Sequence, residues 1–582
     1  MSPLPSVYLP RFSDARDIDE FVATLTRFEN GEISSEDFRR YRLTRGVYGQ
    51  RQEGTQMIRV KLPQGVAAPA ALEALATVAD RWGHGFGSVT TRQNLQFHFV
   101  QMADAEAAMR VLDAGGVTTR EACGNTVRNV TCCPFAGVHS KSSFDVAPYG
   151  EAITRFLLRA EWANSLPRKF KIALSCGPKD CAYGAINDVG LVGRVVDGRR
   201  GFRMTVAGGL STTPENAVLF FDFVPVEDIL DAVEAVVRIF DRHGNRENKH
   251  RARLKYVARK MGREKFQAAL REEFAAVKAR GGTALDLAVV EPAPVAAPSD
   301  DAPDADAGHP RGPGYLAWRA ANTFTQDQPG YTAVITRLAL GHVTAHQLRE
   351  LARICVQYGE GSMRTTIDQN LALRFVAHRK LPALHAELEA LGLAKPGAST
   401  VSDVTTCPGA ESCNLAVTAS RQVGAAITAR LEGDAALAGA VAAAKTAVIK
   451  VSGCPNSCGQ HHIADIGWHG AVRKVDDRSA PVYQLHLGGG FDEQGARFGR
   501  QVIKIPARRV DEAVARLLVA YTNERNEGEE PSAFFARLTN EAATKLLGDL
   551  AVLDASTPDE VFLDIGEERT FKVAIGAGEC AA

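Results

Sequence analysis

Four cysteines in the second half of the chain have the types and spacing of metal ligands. "TCPGAESC" supplies Cys407 and Cys413, and "SGCPNSCG" supplies Cys454 and Cys458, giving C-x5-C-x40-C-x3-C. Two loops with two thiolates each suit a [4Fe–4S] cube, which takes one soft sulfur ligand per iron. The Pro, Gly, Asn and Ser residues around them let backbone amides turn toward the sulfurs and tune the potential. Zinc is the nearest competitor, but structural zinc sites usually pair C-x2-C knuckles, which x5 and x3 fit poorly. A redox disulfide between Cys454 and Cys458 leaves the other pair unexplained. His461 and His462 follow directly and read as packing or hydrogen-bonding support for the loop, not as ligands.

Cations gather in the first half. Arg59 lies in "MIRVKLP", Arg92 in "TTRQNLQFHF", Arg128 in "VRNVTCC", and Arg168, Lys169 and Lys171 in "LPRKFKIAL". Arg59 and Arg92 sit in apolar patterns that read as strands, where a half-buried cation needs an anionic partner. On a strand Lys169 and Lys171 share one face, with Phe170 opposite. There is no phosphate loop and no aromatic-basic stripe, so a polycarboxylate cofactor plus a small oxyanion accounts for these cations better than a nucleotide or nucleic acid.

The elements that must position these groups occur twice. "WGHGFGSVTTRQNLQFHFV" (82–100) matches "YGEGSMRTTIDQNLALRFV" (358–376) without a gap, 276 residues further on. The register extends back to Leu72, Leu75 and Val78 against Leu348, Leu351 and Ile354, whose spacing puts them on one helix face. Alternating segments flank each helix, so the unit reads strand–helix–strand. A second unit, "SCGPKDCAYGAINDVGLVG" (175–193), aligns with "SGCPNSCGQHHIADIGWHG" (452–470) at an offset of 277. Cys181 takes the position of Cys458, yet Cys132 and Cys133 are adjacent and Cys176 and Cys181 are separated by x4. These first-half thiols read as a relic of duplication packed near the cofactor. Cys123 and Cys355 read as core residues, Cys580 as a tail thiol. The symmetry breaks where chemistry is expected: His98 stands against Arg374, Gln96 against Ala372, Lys171 against Val448.

The bulk numbers frame this reading. The 582 residues suffice for several cores, and 68 basic residues balance 68 acidic ones, so anion binding must be local. The N-terminus lacks a signal-peptide pattern and no apolar run spans a bilayer, which predicts a cytoplasmic protein without membrane contact. The Ala/Pro/Asp-rich stretch 291–314 reads as linker.

"TCPGAESC" with "SGCPNSCGQ", "TTRQNLQFHF", "RNVTC" and "LPRKFK" resembles the sirohaem- and [4Fe–4S]-dependent sulfite/nitrite reductases over about residues 40–535, and the ending "GECAA" resembles some sulfite reductase haemoprotein (beta-type) subunits. The resemblance implies an α+β, internally duplicated pseudo-two-fold protein, with ferredoxin-like half-domains and two sirohaem/cluster-binding α/β domains. The expected division is 1–140 (N-terminal segment and first ferredoxin-like half), 141–285 (first reductase repeat), 286–314 (linker), 315–400 (second half), 401–540 (cluster domain) and 541–582 (tail). It implies that Cys407, Cys413 and Cys454 hold the cluster with Cys458, which also bridges to the sirohaem. Arg92, Gln96, His98, Arg168 and Asn456 match positions lining the macrocycle, and Arg59, Arg128, Lys169 and Lys171 match the cations of the substrate face. The implied activity is six-electron assimilatory reduction of sulfite to sulfide, with nitrite to ammonia as the alternative. Lys171 favours sulfite, whereas "CPNSCGQ…ADIG" is closer to nitrite reductase loops. A non-catalytic [4Fe–4S] electron-transfer protein is the alternative of another class. No flavin or nicotinamide fingerprint is present, so a ferredoxin or a flavoprotein subunit is the expected donor.

Overall fold

The computed structural model describes residues 11–285, 311–492, 494–573, 576 and 579. Most of the expected linker and Cys580 lie outside the described residues.

The helix Pro69–Trp82 begins with proline at its first position, where no amide is needed, and buries Leu72, Leu75 and Val78. Its counterpart Ala345–Tyr358 starts from a capping box between Thr344 and Gln347 and buries Leu348, Leu351 and Ile354. The two helices pack on each other and share one hydrophobic core. The strand–helix–strand expectation is too simple, because each half contributes a short strand to the other's sheet. The first sheet runs Val47–Gly49, Thr55–Val60, Leu95–Gln101, Phe86–Val89 and then His342–Thr344 from the second half. The second runs Thr323–Thr325, Tyr331–Thr336, Leu371–Ala377, Met363–Thr365 and then Val66–Ala67 from the first. The exchange is locked symmetrically: Gln93 Nε2 donates to Thr365 O (2.8 Å) and Gln369 Nε2 to Val89 O (2.9 Å). Gly65 is required at this crossing, since its φ is +76° and a Cβ there would meet Thr365 O at 2.5 Å.

Two further mixed sheets carry the chemistry-bearing loops. In the first, Thr131–Cys132, Ile172–Ser175 and Val189–Val196 are parallel, followed by antiparallel Arg199–Val206 and Val218–Pro225. In the second, Thr405–Thr406, Ile449–Ser452 and Ile466–Val475 are parallel, followed by Arg478–Leu487 and Arg500–Pro506. Each has its own apolar core, around Phe170, Phe202 and Phe240 in one and Trp468, Tyr483 and Tyr521 in the other. No described helix is long and apolar enough to cross a membrane.

Candidate functional site: the cysteine loops and the cation floor

The two cysteine loops follow adjacent parallel strands, Thr405–Thr406 and Ile449–Ser452, and pack back to back. Gly453 makes this possible, because a Cβ there would meet Thr418 O at 2.7 Å and Gly409 Cα at 2.9 Å. The Gly453 amide donates to Cys407 Sγ (3.1 Å), and Ser420 Oγ lies 3.2 Å from the same sulfur. Amides of Leu415 and Ala416 point at Cys413, and that of Asn456 points at Cys454. Burial and then the neighbouring Cys458 raise the thiols of Cys407, Cys413 (to about 12) and Cys454. The four sulfurs thus converge. Such a buried group, ringed by amide donors, is stable with its charge shared among metal ions. Cys407 and Cys454 are buried while Cys458 is exposed, so Cys458 can face a second group as well.

The N-terminal half clamps both loops. Arg51 N donates to Ser412 O (3.0 Å), Asn414 Nδ2 to Gln50 O (3.1 Å) and Thr91 Oγ1 to Cys458 O (3.1 Å). Beneath the cysteines, His461 Nδ1 lies 2.9 Å from Ser452 Oγ, which also accepts from the Gly459 amide (3.1 Å). His462 Nε2 lies 2.9 Å from Ser211 O. These histidines are in a short 3-10 turn, His461–Ile463, ahead of the strand that starts at Ile466.

The floor of the site is the outer face of the first ferredoxin-like sheet. Ile58, Val60, Leu95 and Phe97 enter the core, which turns Arg59, Gln96 and His98 outward. Arg59 and Gln96 are direct cross-strand partners: the Gln96 amide oxygen, oriented to satisfy both groups, accepts from Arg59 Nε (2.9 Å). Arg59 Nη1 also reaches Ala122 O and Cys123 Sγ, both at 3.3 Å, so the buried Cys123 is an acceptor as well as a core residue. Arg128 converges on Ala122 O (3.1 Å) and Gly124 O (2.8 Å). His98 is buried with both ring nitrogens unpartnered, and burial, Arg421, His342 and Arg59 hold it well below the usual histidine range.

Arg92 is not on a strand. It occupies the turn before Leu95–Gln101, from which it reaches Asn187 Oδ1 (2.8 Å), Asn129 O (2.5 Å) and Ile172 O (3.1 Å). Burial lowers its guanidinium to about 9, partly offset by Asp188. Lys169 and Lys171 flank Phe170, which bridges to Val127 just ahead of strand Ile172–Ser175. Burial and the like charges of Arg92, Arg253 and Lys169 hold the Lys171 amine well below its usual range, opposed by Cys458. Lys171 therefore feels the cation group and Cys458 together. Arg168 is half-buried beside Lys169, and Asn456 is on the exposed rim near Ser211 Oγ (3.4 Å).

Sequence reasoning missed three residues. Arg421, on helix Ser420–Gly433, bonds Glu411 in the first cysteine loop (2.7 Å) and Ser88 on the floor (3.0 Å). Arg253 pairs with Asp188 (2.8 Å), which in turn accepts from the Lys171 amide (2.8 Å). Asn129 Nδ2 bridges Leu62 O (2.7 Å) and Arg92 O (3.0 Å). Arg253 lies in the basic run "NRENKHRARLKY" (245–256), which could have drawn attention to it; nothing distinguished Arg421 from a surface helix cation.

A thiol-rich pair of loops set against a floor rich in cations has the chemistry of an iron–sulfur oxidoreductase that handles anions. The family described as "Nitrite and sulphite reductase 4Fe-4S domain" matches residues 123–278 and 397–541, and "Nitrite/Sulfite reductase ferredoxin-like half domain" matches 48–115 and 324–391. A ferredoxin–nitrite reductase of Synechococcus elongatus is 30% identical over 75% of this chain and 81% of its own. A ferredoxin sulfite reductase of Mycolicibacterium paratuberculosis is 29% identical over 85% and 88%. The Mycobacterium tuberculosis NirA structure superposes with a TM-score of 0.75, at 25% identity, over 92% of this chain and 98% of its own. The chain belongs to the nitrite and sulfite reductase family. That family carries a sirohaem and a [4Fe–4S] cluster, and the residues here fit both. The amide-ringed thiols suit the cluster, and the partnerless His98 nitrogens and crowded cations suit a polycarboxylate macrocycle.

Proposed function

We propose that the protein reduces sulfite to sulfide by six electrons, with Arg59, Arg128, Lys169 and Lys171 forming the substrate face. In this reading Cys407, Cys413, Cys454 and Cys458 would hold the cluster, Cys458 would serve the sirohaem as well, and Arg92, Gln96, His98, Arg168 and Asn456 would line the macrocycle. When bound, the sirohaem and the cluster would supply the electrons, one at a time.

The protein's own side chains do the rest. Sulfite is strongly hydrated, so the guanidinium groups of Arg59 and Arg128 replace its water with directional hydrogen bonds. Breaking S–O bonds consumes protons and releases water. Lys169 and Lys171 hold protons at Nζ beside the departing oxygens. An arriving anion adds a negative charge beside Lys171 and so favours its protonated form.

The observation that carries the choice of sulfite is the second lysine, Lys171, set in the same group as Arg92 and Lys169 and near Cys458. Its bulky cation suits an anion with three oxygens. The relatives are divided between nitrite and sulfite, so the test is direct. Steady-state rates with a reduced low-potential dye should give a higher kcat/KM for sulfite; a much higher value for nitrite would overturn the reading. The ferredoxin named for relatives supports a ferredoxin donor, and we place the reaction in the cytoplasm.

A further inference from the structure

The duplication has kept a second set of thiols in the first half, and it is arranged differently from the cluster set. We propose that Cys133, Cys176 and Cys181 bind a single thiophilic divalent ion of the zinc class, at the pseudo-symmetric counterpart of the cluster.

Three hydrogen bonds that shape the second-half cysteine loops recur here. The Cys133 amide donates to Leu174 O (3.0 Å) as that of Cys407 does to Val451 O (3.2 Å). The Ala182 amide donates to Ser175 Oγ (2.9 Å) as that of Gly459 does to Ser452 Oγ (3.1 Å). Asp327 N clamps Val138 O (2.9 Å) as Arg51 N clamps Ser412 O (3.0 Å). Cys133 therefore has the seat of Cys407, and Cys181 that of Cys458.

The third thiol is displaced. Gly177 stands where Cys454 would be, and the cysteine is one residue earlier, at Cys176. This shift tightens the group. All three Sγ atoms lie within 4.8 Å of one another, and Cys176 and Cys181 are 3.9 Å apart. Three sulfurs at about 2.3 Å from one tetrahedral ion stand roughly 3.8 Å apart, so the spacing suits one ion. A cube would spread them over separate irons.

The turn is also held before any ligand arrives. Asp180 accepts from Ser175 Oγ (2.8 Å) and from the amides of Gly184 and Ala185 (both 2.7 Å), fixing the chain between Cys176 and Cys181. Cys133 and Cys176 are buried and Cys181 reaches the surface, which gives an ion an entry side and leaves its fourth corner to water. His139 follows Val138 as Cys413 follows Ser412, but its Nδ1 accepts from the Lys141 amide (3.1 Å), so it is not counted as a ligand. Cys132 is buried with its amide tied to Gln93, apart from the group.

The test uses the holoenzyme, dialysed against metal-free buffer, with elemental analysis before and after addition of zinc. The expected result is one zinc per chain beyond the iron, displaceable by cadmium with a thiolate-to-cadmium absorption band. Cys181→Ser and Cys176→Ala should each lose the zinc and the band while iron content and sulfite reduction stay within about twofold of the parent. Failure of the wild-type enzyme to hold or take up zinc overturns the proposal, whatever the variants do. So does zinc retained by both variants, or a mass two hydrogens short that maps to a Cys176–Cys181 disulfide. Loss of sulfite activity with zinc still bound in the parent bears only on the catalytic reading.

Discussion

The two ends of the pseudo-two-fold axis solve the same electrostatic problem in opposite ways. On the cluster side of the second half, Asp368 stands where the first half has Arg92, and it is neutralised internally by Lys450 (2.9 Å). Arg374 stands where the first half has His98, and it is bound to Glu360 (2.7 Å), which Arg364 also contacts (3.3 Å). Each of these charges has an opposite charge from the same chain. In the first half Arg92 reaches only amide and carbonyl oxygens, His98 has no partner for either ring nitrogen, and Lys171 is crowded by like charges. One copy spends its polar residues on itself and becomes scaffold. The other leaves them uncompensated and so has affinity for an anion from outside.

The largest expected effect tests this division at the thiols. Cys458→Ser should abolish sulfite reduction and remove the coupled haem absorption, whereas the same change at the mirror position, Cys181, should leave both. Equal damage from both would mean that the two sites are not functionally distinct. Next comes the internal ion pair. Arg374→Ala removes the closer partner of buried Glu360 and leaves it only Arg364, and denaturant unfolding should show a loss of about 3 kcal/mol. His98→Asn, its counterpart, should lower sirohaem content with a much smaller change in unfolding.

A smaller effect is expected at the substrate face. Lys171→Asn should lower kcat for sulfite by roughly 10²-fold, the scale of a positioned proton donor, and shift the preference toward nitrite. An unchanged sulfite-to-nitrite ratio would remove the main ground for choosing sulfite. The smallest effect concerns pH. Burial alone would raise the Glu360 carboxyl, but Arg374 and Arg364 hold it at about 2 against an ordinary 4.5. Its stabilising contribution is complete above pH 4.5 and is lost as pH falls through about 2. Glu360→Gln should therefore flatten the acid-unfolding profile in that window, and an unaltered profile would show the pair to be energetically idle.

Much of this was legible in the sequence, for identifiable reasons. The duplication showed because glycines with positive φ, such as Gly65 and Gly341, and the locking glutamines recur at fixed offset. The cysteine quartet stood out because its cysteines come in two closely spaced pairs, whose loops follow adjacent parallel strands. The exchanged strands Val66–Ala67 and His342–Thr344 did not show, since two or three residues carry no periodicity. Arg92 was misplaced on a strand because its turn is embedded in apolar sequence. The first-half thiols read as a relic because chain spacing was compared with the cluster pattern, while their actual proximity comes from a one-residue displacement at Cys176.

The exchanged strands also constrain how the protein is made. Phe86–Val89 completes its sheet only with His342–Thr344, and the Cys407–Cys413 loop rests on the hairpin at Gln50 and Arg51. The first half therefore emerges from the ribosome with an open sheet edge and must wait for a distant segment. Pairing across so long a loop is slow, and an exposed edge is prone to aggregation. With the cysteines in their proposed role, cofactor insertion follows this closure, because the clamp on their loops does not exist before it.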